Sequence, residues 1–314
     1  MLNYAVKRIG LSALICVVAM VMLFVMIRSI PGDPATIMLG ARATPEAIAR
    51  ISAEMGLDQP VWKQILLWFR AMFTGDLGND FQSHRPVTQI VLQALPATLA
   101  LAAAGIGWAV LLGVPLGCYS ALRPNSALDK VTSILSVGAI SIPPFVLAIY
   151  ALLAFSVNLG WFPVLGAGDA GDLGDQIWHL VLPAFAVGLG WVGYLARLVR
   201  GSMIEVMAEN HVRTARALGL PERRILFSYA LRLAIIPTVT LLGISIGGLL
   251  SSAVLVENVF SRPGLGTIIA KAAAARNYPI VQGGVFASVI LFVIATPISD
   301  LIIAWLDPRV RDTL

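Results

Sequence analysis

Apolar stretches of about 20 residues, the length a helix needs to cross a bilayer core, recur along this chain and hold its charges apart. Six can be drawn, at roughly 9–28, 96–121, 131–158, 179–200, 233–256 and 282–306. Composition agrees, with 58% apolar and 12% charged residues and a mean hydropathy of +0.85. Soluble domains run at roughly half and a quarter. A helix satisfies its backbone hydrogen bonds internally, so the expected fold class is all-α, an integral membrane protein with six transmembrane helices.

The charges between the stretches set an orientation. Lys7, Arg8, Arg123, Lys130 and the arginines of 197–232 fall on one side; the loop 159–178 has no Lys or Arg but carries Asp169, Asp172 and Asp175, with Trp161 and Trp178 beside it. Cationic loops stay inside, so both ends are expected in the cytoplasm. The excess of 22 Lys and Arg over 17 Asp and Glu is explained by this placement, and no nucleic-acid partner is expected. The expected division is a cytoplasmic N-terminus 1–8, a first transmembrane helix 9–28 retained rather than cleaved, and an external segment 29–92 with short helices. A five-helix core 93–306 with a cytoplasmic loop 201–231 follows, then a cytoplasmic C-terminus 307–314.

In the external segment, Thr44-Pro45 reads as a helix start and Gly56 as its stop, with a second helix from Asp58 through Phe73. Its Trp62, Ile65, Leu66, Phe69 and Phe73 share a face that fits an external docking partner, the membrane surface or the protein's own outer end. Within the spans, Pro143 and Pro144 kink the third, which a membrane tolerates where protein or a watery cavity satisfies the freed carbonyls. Thr240, Gly243, Gly247 and Ser251 form a small-residue stripe in the fifth, suited to close helix packing or to lining a path. Glu257 at its outer end is placed for local pairing with Arg262 or for a gate. Asp300 in the sixth is placed for a structural bond to Arg197, Arg200 or Arg232.

The segment 203–231, MIEVMAENHVRTARALGLPERRILFSYAL, is too polar to span and long enough for two short helices broken at Gly219-Leu220-Pro221. Glycine ends the first, and proline starts the second at its first turn. Such an element can dock into a groove of a cytoplasmic protein and transmit rigid-body motion.

Three chemistries are weighed against transport. Gly243-Ile244-Ser245-Ile246-Gly247 matches G-x-S-x-G, the hook for an intramembrane serine protease. It lies inside an apolar helix, and none of His84, His179 and His211 sits centrally in a span to activate the hydroxyl. The four lysines follow Val6, Trp62, Asp129 and Ala270, so no Gly-Lys pair exists for a phosphate-binding loop. An ion-coupled carrier needs ionisable groups deep in the bundle, whereas the one acid within a span, Asp300, lies about two turns from the inner end, where it can be paired or snorkel. No catalytic residue, cofactor or metal ligand is expected of this chain, and Cys16 and Cys118 read as small buried hydrophobes.

The residues Arg213, Thr214, Ala215, Arg216 and Gly219, followed by Leu220 and Pro221, resemble the EAA-xxx-G coupling loop of ABC importer permeases. Ala215 and Gly219 match; Arg213 and Thr214 replace the usual Glu and Ala, as in the dipeptide/oligopeptide/nickel branch. IPGDP (30–34), GDLG (75–78), SIPPF (141–145), VLVENVFSRPGLG (254–266), NYPIVQG (277–283) and LDPRVR (306–311) are similar to that family's blocks, in its order. The resemblance implies a type I importer permease in the bacterial inner membrane, paired with a second, homologous permease as a heterodimer. It further implies two cytoplasmic ATPases that bind ATP and Mg, and an external substrate-binding protein. Peptides, nickel chelates, glutathione and opines are all substrates that such a permease could pass.

Overall fold

A computed structural model describes residues 2–29, 36, 44–54 and 58–306. Among these residues the only extended pairing is a single bridge between Asn79 and Pro86, and the rest is helix and connecting turns. The IPGDP block, Gly56 and the C-terminal 307–314 lie outside the described residues, as do the side chains of Thr240, Gly243, Gly247 and Asp300.

The helices are α1 (Leu2–Arg28), α2 (Pro45–Glu54), α3 (Val61–Thr74), α4 (Val87–Leu122), α5 (Ala127–Ser141), α6 (Pro144–Ala151), α7 (Leu173–Met207) and α8 (Asn210–Ala217). They continue with α9, which runs as Glu222–Arg224, a π-helical stretch Ile225–Ala230 and Leu231–Ala234. Then come α10 (Ile236–Val259), α11 (Leu265–Ala274) and α12 (Tyr278–Leu306). Among the described residues three helices are long and apolar enough to cross a membrane, or four if the pair on either side of Pro143 is one broken span. By length alone α1 and α10, 27 and 24 residues, also reach across.

The prolines do more than kink the third apolar stretch. Helix α5 ends at Ser141, Pro143 sits at the N-cap of α6, and the two directions differ by 104°. Proline supplies no N–H and pushes its predecessor out of the helical region, so Ile142 is extended at φ −93°, ψ 124°. Beyond α6 the helix widens into a π-turn, Leu152–Asn158.

The chain divides into two compact units, 97–263 with 294–314, and 2–96 with 264–293. In the first, α7 is the axis: from Leu182 to Val206 it buries residues on nearly every turn. It approaches its neighbours backbone to backbone through glycine. A Cβ on Gly117 of α4 would stand 2.6 Å from the Ala196 carbonyl, and one on Gly193 of α7 would stand 2.7 Å from the Ser136 carbonyl of α5. Small residues at these crossings let dispersion contacts form that no larger side chain would permit, the main source of helix association in lipid. Arg200 of α7 closes the same packing at one end, its Nε and Nη2 donating to Asp129 Oδ1 and Oδ2 at 2.6 and 2.8 Å. Asp129 lies in the first turn of α5, whose N-cap Ser126 accepts from the Asp129 N–H. Arg200 is therefore engaged by Asp129.

In the second unit, loop 78–87 folds on itself: Val87 N–H reaches Gly78 O and Asp80 N–H reaches Arg85 O, both at 2.9 Å. Buried Asp80 accepts from the N–H groups of Gln82 and Ser83, the Ser83 hydroxyl and the Asn277 amide. Burial alone would raise its pKa; the hydrogen bonds outweigh that and hold the carboxyl below its ordinary range.

Candidate coupling element and polar network

Helix α8 is short because its ends are fixed by sequence. Leu218 caps it, and Gly219 takes φ +72°, a left-handed conformation costly for any residue with a Cβ. Gly219 N–H bonds to Arg216 O at 3.0 Å and Leu220 N–H to Ala215 O at 3.2 Å, the paired bonds of a Schellman stop. Pro221 follows as the N-cap of α9, so it stands one position before the helix rather than in its first turn. Arg216 bridges the break, Nε donating to Glu222 Oε1 at 2.7 Å; that hydrogen bond raises the guanidinium pKa. Both partners are exposed, so the pair orients the turn more than it stabilises it.

The inward face of α8 is Val212 and Ala215, three residues apart, packed with Ile225 of α9 and flanked by Met207 and Leu220. The outward face presents Arg213, Thr214, Arg216 and Ala217, with Leu218 75% exposed at the tip. Helix α9 then continues inward: Leu226, Ala230 and Ala234 pack with Val199, Met203 and Val206 of α7 and Cys118 of α4. The element is thus two helices, 210–217 and 222–234. Residues 201–207, expected in the polar loop, are the last two turns of α7, where Met203 and Val206 are buried. Helix α8 thus connects to α7 through Ile225 and the α9 contacts, as well as through Met207.

At the other end of α7 lies a second polar cluster. Glu257 is wholly buried near the end of α10 and accepts from Thr98 Oγ1 of α4 at 2.7 Å. Arg262, also buried, feels the Glu257 charge, and its Nη1 donates to the His179 carbonyl at 3.1 Å. Desolvation holds the Arg262 pKa below its usual value, and the carboxylate pushes it back up. That carbonyl is available for a reason written in the sequence: its helical donor would be residue 183, and Pro183 has no N–H. The ring of His179 in turn pairs with Asp175 at 3.1 Å.

The structure thus gathers Arg213, Thr214, Ala215, Arg216, Gly219, Leu220 and Pro221 in one element, and sets Glu257 among Thr98 and Arg262 in another. Pro143 and Pro144 form the break at the start of α6, and Ser251 sits on α10. Sequence reasoning missed the contributions of Thr98 and His179; Pro183 inside an apolar stretch is the available signal for the second. Among the described residues no cluster of His, Cys, Asp or Glu could hold a metal ion.

Residues 113–312 match the family described as "Binding-protein-dependent transport system inner membrane component", and residues 1–102 match the N-terminal membrane component of such systems. The chain is 35% identical over 312 residues to the glutathione transport system permease protein GsiC of Salmonella choleraesuis, covering 99% of both proteins. It is 32% identical over 332 residues to the dipeptide transport system permease protein DppB of Alkalihalophilus pseudofirmus, covering 99% of this chain and 100% of that one. Among solved structures, the inward-facing MetNI methionine ABC transporter superposes with a TM-score of 0.55. Identity there is 19%, over 70% of this chain and 97% of that one.

Proposed function

The chain belongs to the inner membrane components of binding-protein-dependent transport systems, and from that premise we propose how it transports and what it carries. It is a permease subunit of an ABC importer of the peptide family, a membrane protein without an ATPase site of its own. Partner ATPases use the ATP, and a substrate-binding protein delivers the cargo. Its substrates are short peptides or peptide-like thiols of the glutathione kind, in keeping with the names of its relatives.

Residues 210–221 are the surface that docks on an ATPase. The observation carrying this reading is α8 itself, an eight-residue helix with a basic outer face, stopped by Gly219 and packed through Ile225 onto the α9 and α7 body. Closing of the ATPases on ATP displaces α8, and the path opens toward the loaded binding protein. This is a population shift driven by tighter ATP binding to one conformation. The path is formed with a second, homologous permease, and Pro143, Pro144, Thr240, Gly243, Gly247 and Ser251 lie along it. Glu257 belongs to the outer network that steadies or gates its mouth. In this reading the chain crosses six times with both termini cytoplasmic, α8 lies beside the ATPases, and the segment 29–92 lies on the outer side of the membrane.

Gly219→Val tests the coupling surface. No neighbouring atom lies within 4 Å of a Cβ there, so the cost is backbone strain alone, about 1–2 kcal/mol localised at the break. In reconstituted transporter, substrate-stimulated ATPase activity and transport are expected to fall together with the ATPases still bound. Full coupling in that variant would refute the assignment. Labelling of Asn79→Cys from outside, and of Ala217→Cys only after permeabilisation, checks the orientation; the reverse pattern would overturn it.

A further inference from the structure

Helix α3 has three sides, and they face three different environments. One side, Gln64, Trp68 and Met72, recurs every fourth residue and packs on α1. Arg28 Nη1 donates to Gln64 Oε1 at 2.8 Å, the rings of Phe24 and Trp68 lie 5.9 Å apart, and Met72 shares a buried cluster with Met20 and Cys16. Each step of four along α3 is a step of four backward along α1. The two helices therefore run antiparallel, and α3 travels about 12 Å along α1 between Gln64 and Met72.

A second side carries Trp62, Leu66 and Phe73, exposed by 64, 60 and 73%. The third carries the exposed cations Lys63 and Arg70, two turns apart. Helix α1 likewise exposes Val18, Met22, Val25 and Met26, on the side turned away from its contacts with α3. An apolar span leaves such side chains bare only toward lipid or another protein. Lys63 lies at the Arg28 end of the pair, where it fits the phosphate layer that a lysine reaches by extending its stem.

We propose that α3 is embedded in one leaflet of the bilayer as a half-depth helix against α1. Trp62, Leu66 and Phe73 then lie in the acyl chains, and Lys63, beside Gln64 at the Arg28 end of α1, reaches lipid phosphates. The segment between the first two long apolar stretches thereby keeps a lipid contact of its own. This rests on α1 spanning the membrane.

Nitroxide labels on the full chain, in the assembled transporter reconstituted in phosphatidylethanolamine/phosphatidylglycerol vesicles, test it. Cys16 and Cys118 are buried and stay in place. Labels go at Val18→Cys, Lys63→Cys, Leu66→Cys and Phe73→Cys, and collision with oxygen is compared with collision with a water-soluble nickel chelate. The expected result is oxygen-dominated collision at Leu66 and Phe73, equal to that at Val18, with nickel-dominated collision at Lys63. Nickel-dominated collision at Leu66 and Phe73, with Val18 still in lipid, overturns the embedding alone. Shielding of Leu66 and Phe73 from both reagents also overturns it, because a protein partner then covers the face. Nickel access at Val18 overturns the spanning of α1 and the embedding with it.

Discussion

Pro183 and Arg262 should be energetically coupled although they lie 79 positions apart, because one leaves open the carbonyl that the other fills. Arg262→Met removes the donor to His179 O and leaves wholly buried Glu257 without that cation. Losing one partner of a buried charge pair costs about 3–5 kcal/mol. Pro183→Ala restores the N–H that the His179 carbonyl lacks and recovers helix propensity, a gain of up to about 3 kcal/mol where the helix can straighten. In the double variant the carbonyl already has its donor, the backbone N–H regained at position 183. Arg262→Met then loses one charge-assisted hydrogen bond less, worth about 1.5–3 kcal/mol. Unfolding free energies of the four proteins from SDS titration in mixed micelles measure this. A sum of single effects that predicts the double variant to within about 0.5 kcal/mol would refute the explanation given for Arg262.

Gly117→Ala and Gly107→Ala, both in α4, gain the same helix propensity. Only the first drives a Cβ into α7 backbone, so it should lose about 1–3 kcal/mol relative to the second in the same titration. Arg200→Met leaves the Asp129 carboxylate buried without its cation and should lower the thermal midpoint, whereas Arg197→Met, which loses only a contact over the Tyr194 ring, should shift it little. The folded pKa of Asp80 is depressed, so its contribution is present above the unfolded carboxylate pKa and disappears as pH falls through the folded value. Wild type should therefore lose stability in acid more steeply than Asp80→Asn, as thermal midpoints measured across that range would show.

The sequence made the break at Gly219 legible because a left-handed glycine followed by proline has few other uses, and it made the turn at Pro143 legible for the same kind of reason. The face by which α3 packs was not legible. That helix is apolar on two sides, and the five residues that share a face in sequence include the exposed Trp62, Leu66 and Phe73, while the packed side contains Gln64. Nor could periodicity show which glycines of α4 matter. The helix is apolar all round, and Gly107, which faces open space, reads in sequence like Gly117, which faces backbone. In sequence Arg200 was one of three arginines open to Asp300; it bonds to Asp129, in the first turn of α5 and 71 positions away, a pairing that needs the chain between them folded. What spacing reveals is conformation along one element; which element comes alongside it is decided by contacts between residues far apart in the chain.

The close approaches also limit how the proposed coupling can work. Helix α7 carries the α9 contacts at Val199, Met203 and Val206 and the His179 carbonyl some twenty residues away, roughly 30 Å along one helix. Between those points it is seated on α4 at Gly105, Gly113 and Gly117 and on α5 at Gly193, where even a methyl group would come within about 3 Å of neighbouring atoms. A body packed this closely resists repacking, since shifting α7 against α4 means lifting backbone off backbone. Motion delivered at α8 must therefore turn α4, α5 and α7 together, carrying the Arg262 contact with it, rather than slide one helix past the next. The compliant points are then the places where the ladder of hydrogen bonds is already interrupted: the 104° break at Pro143, Pro183 within α7, and the π-helical stretch of α9.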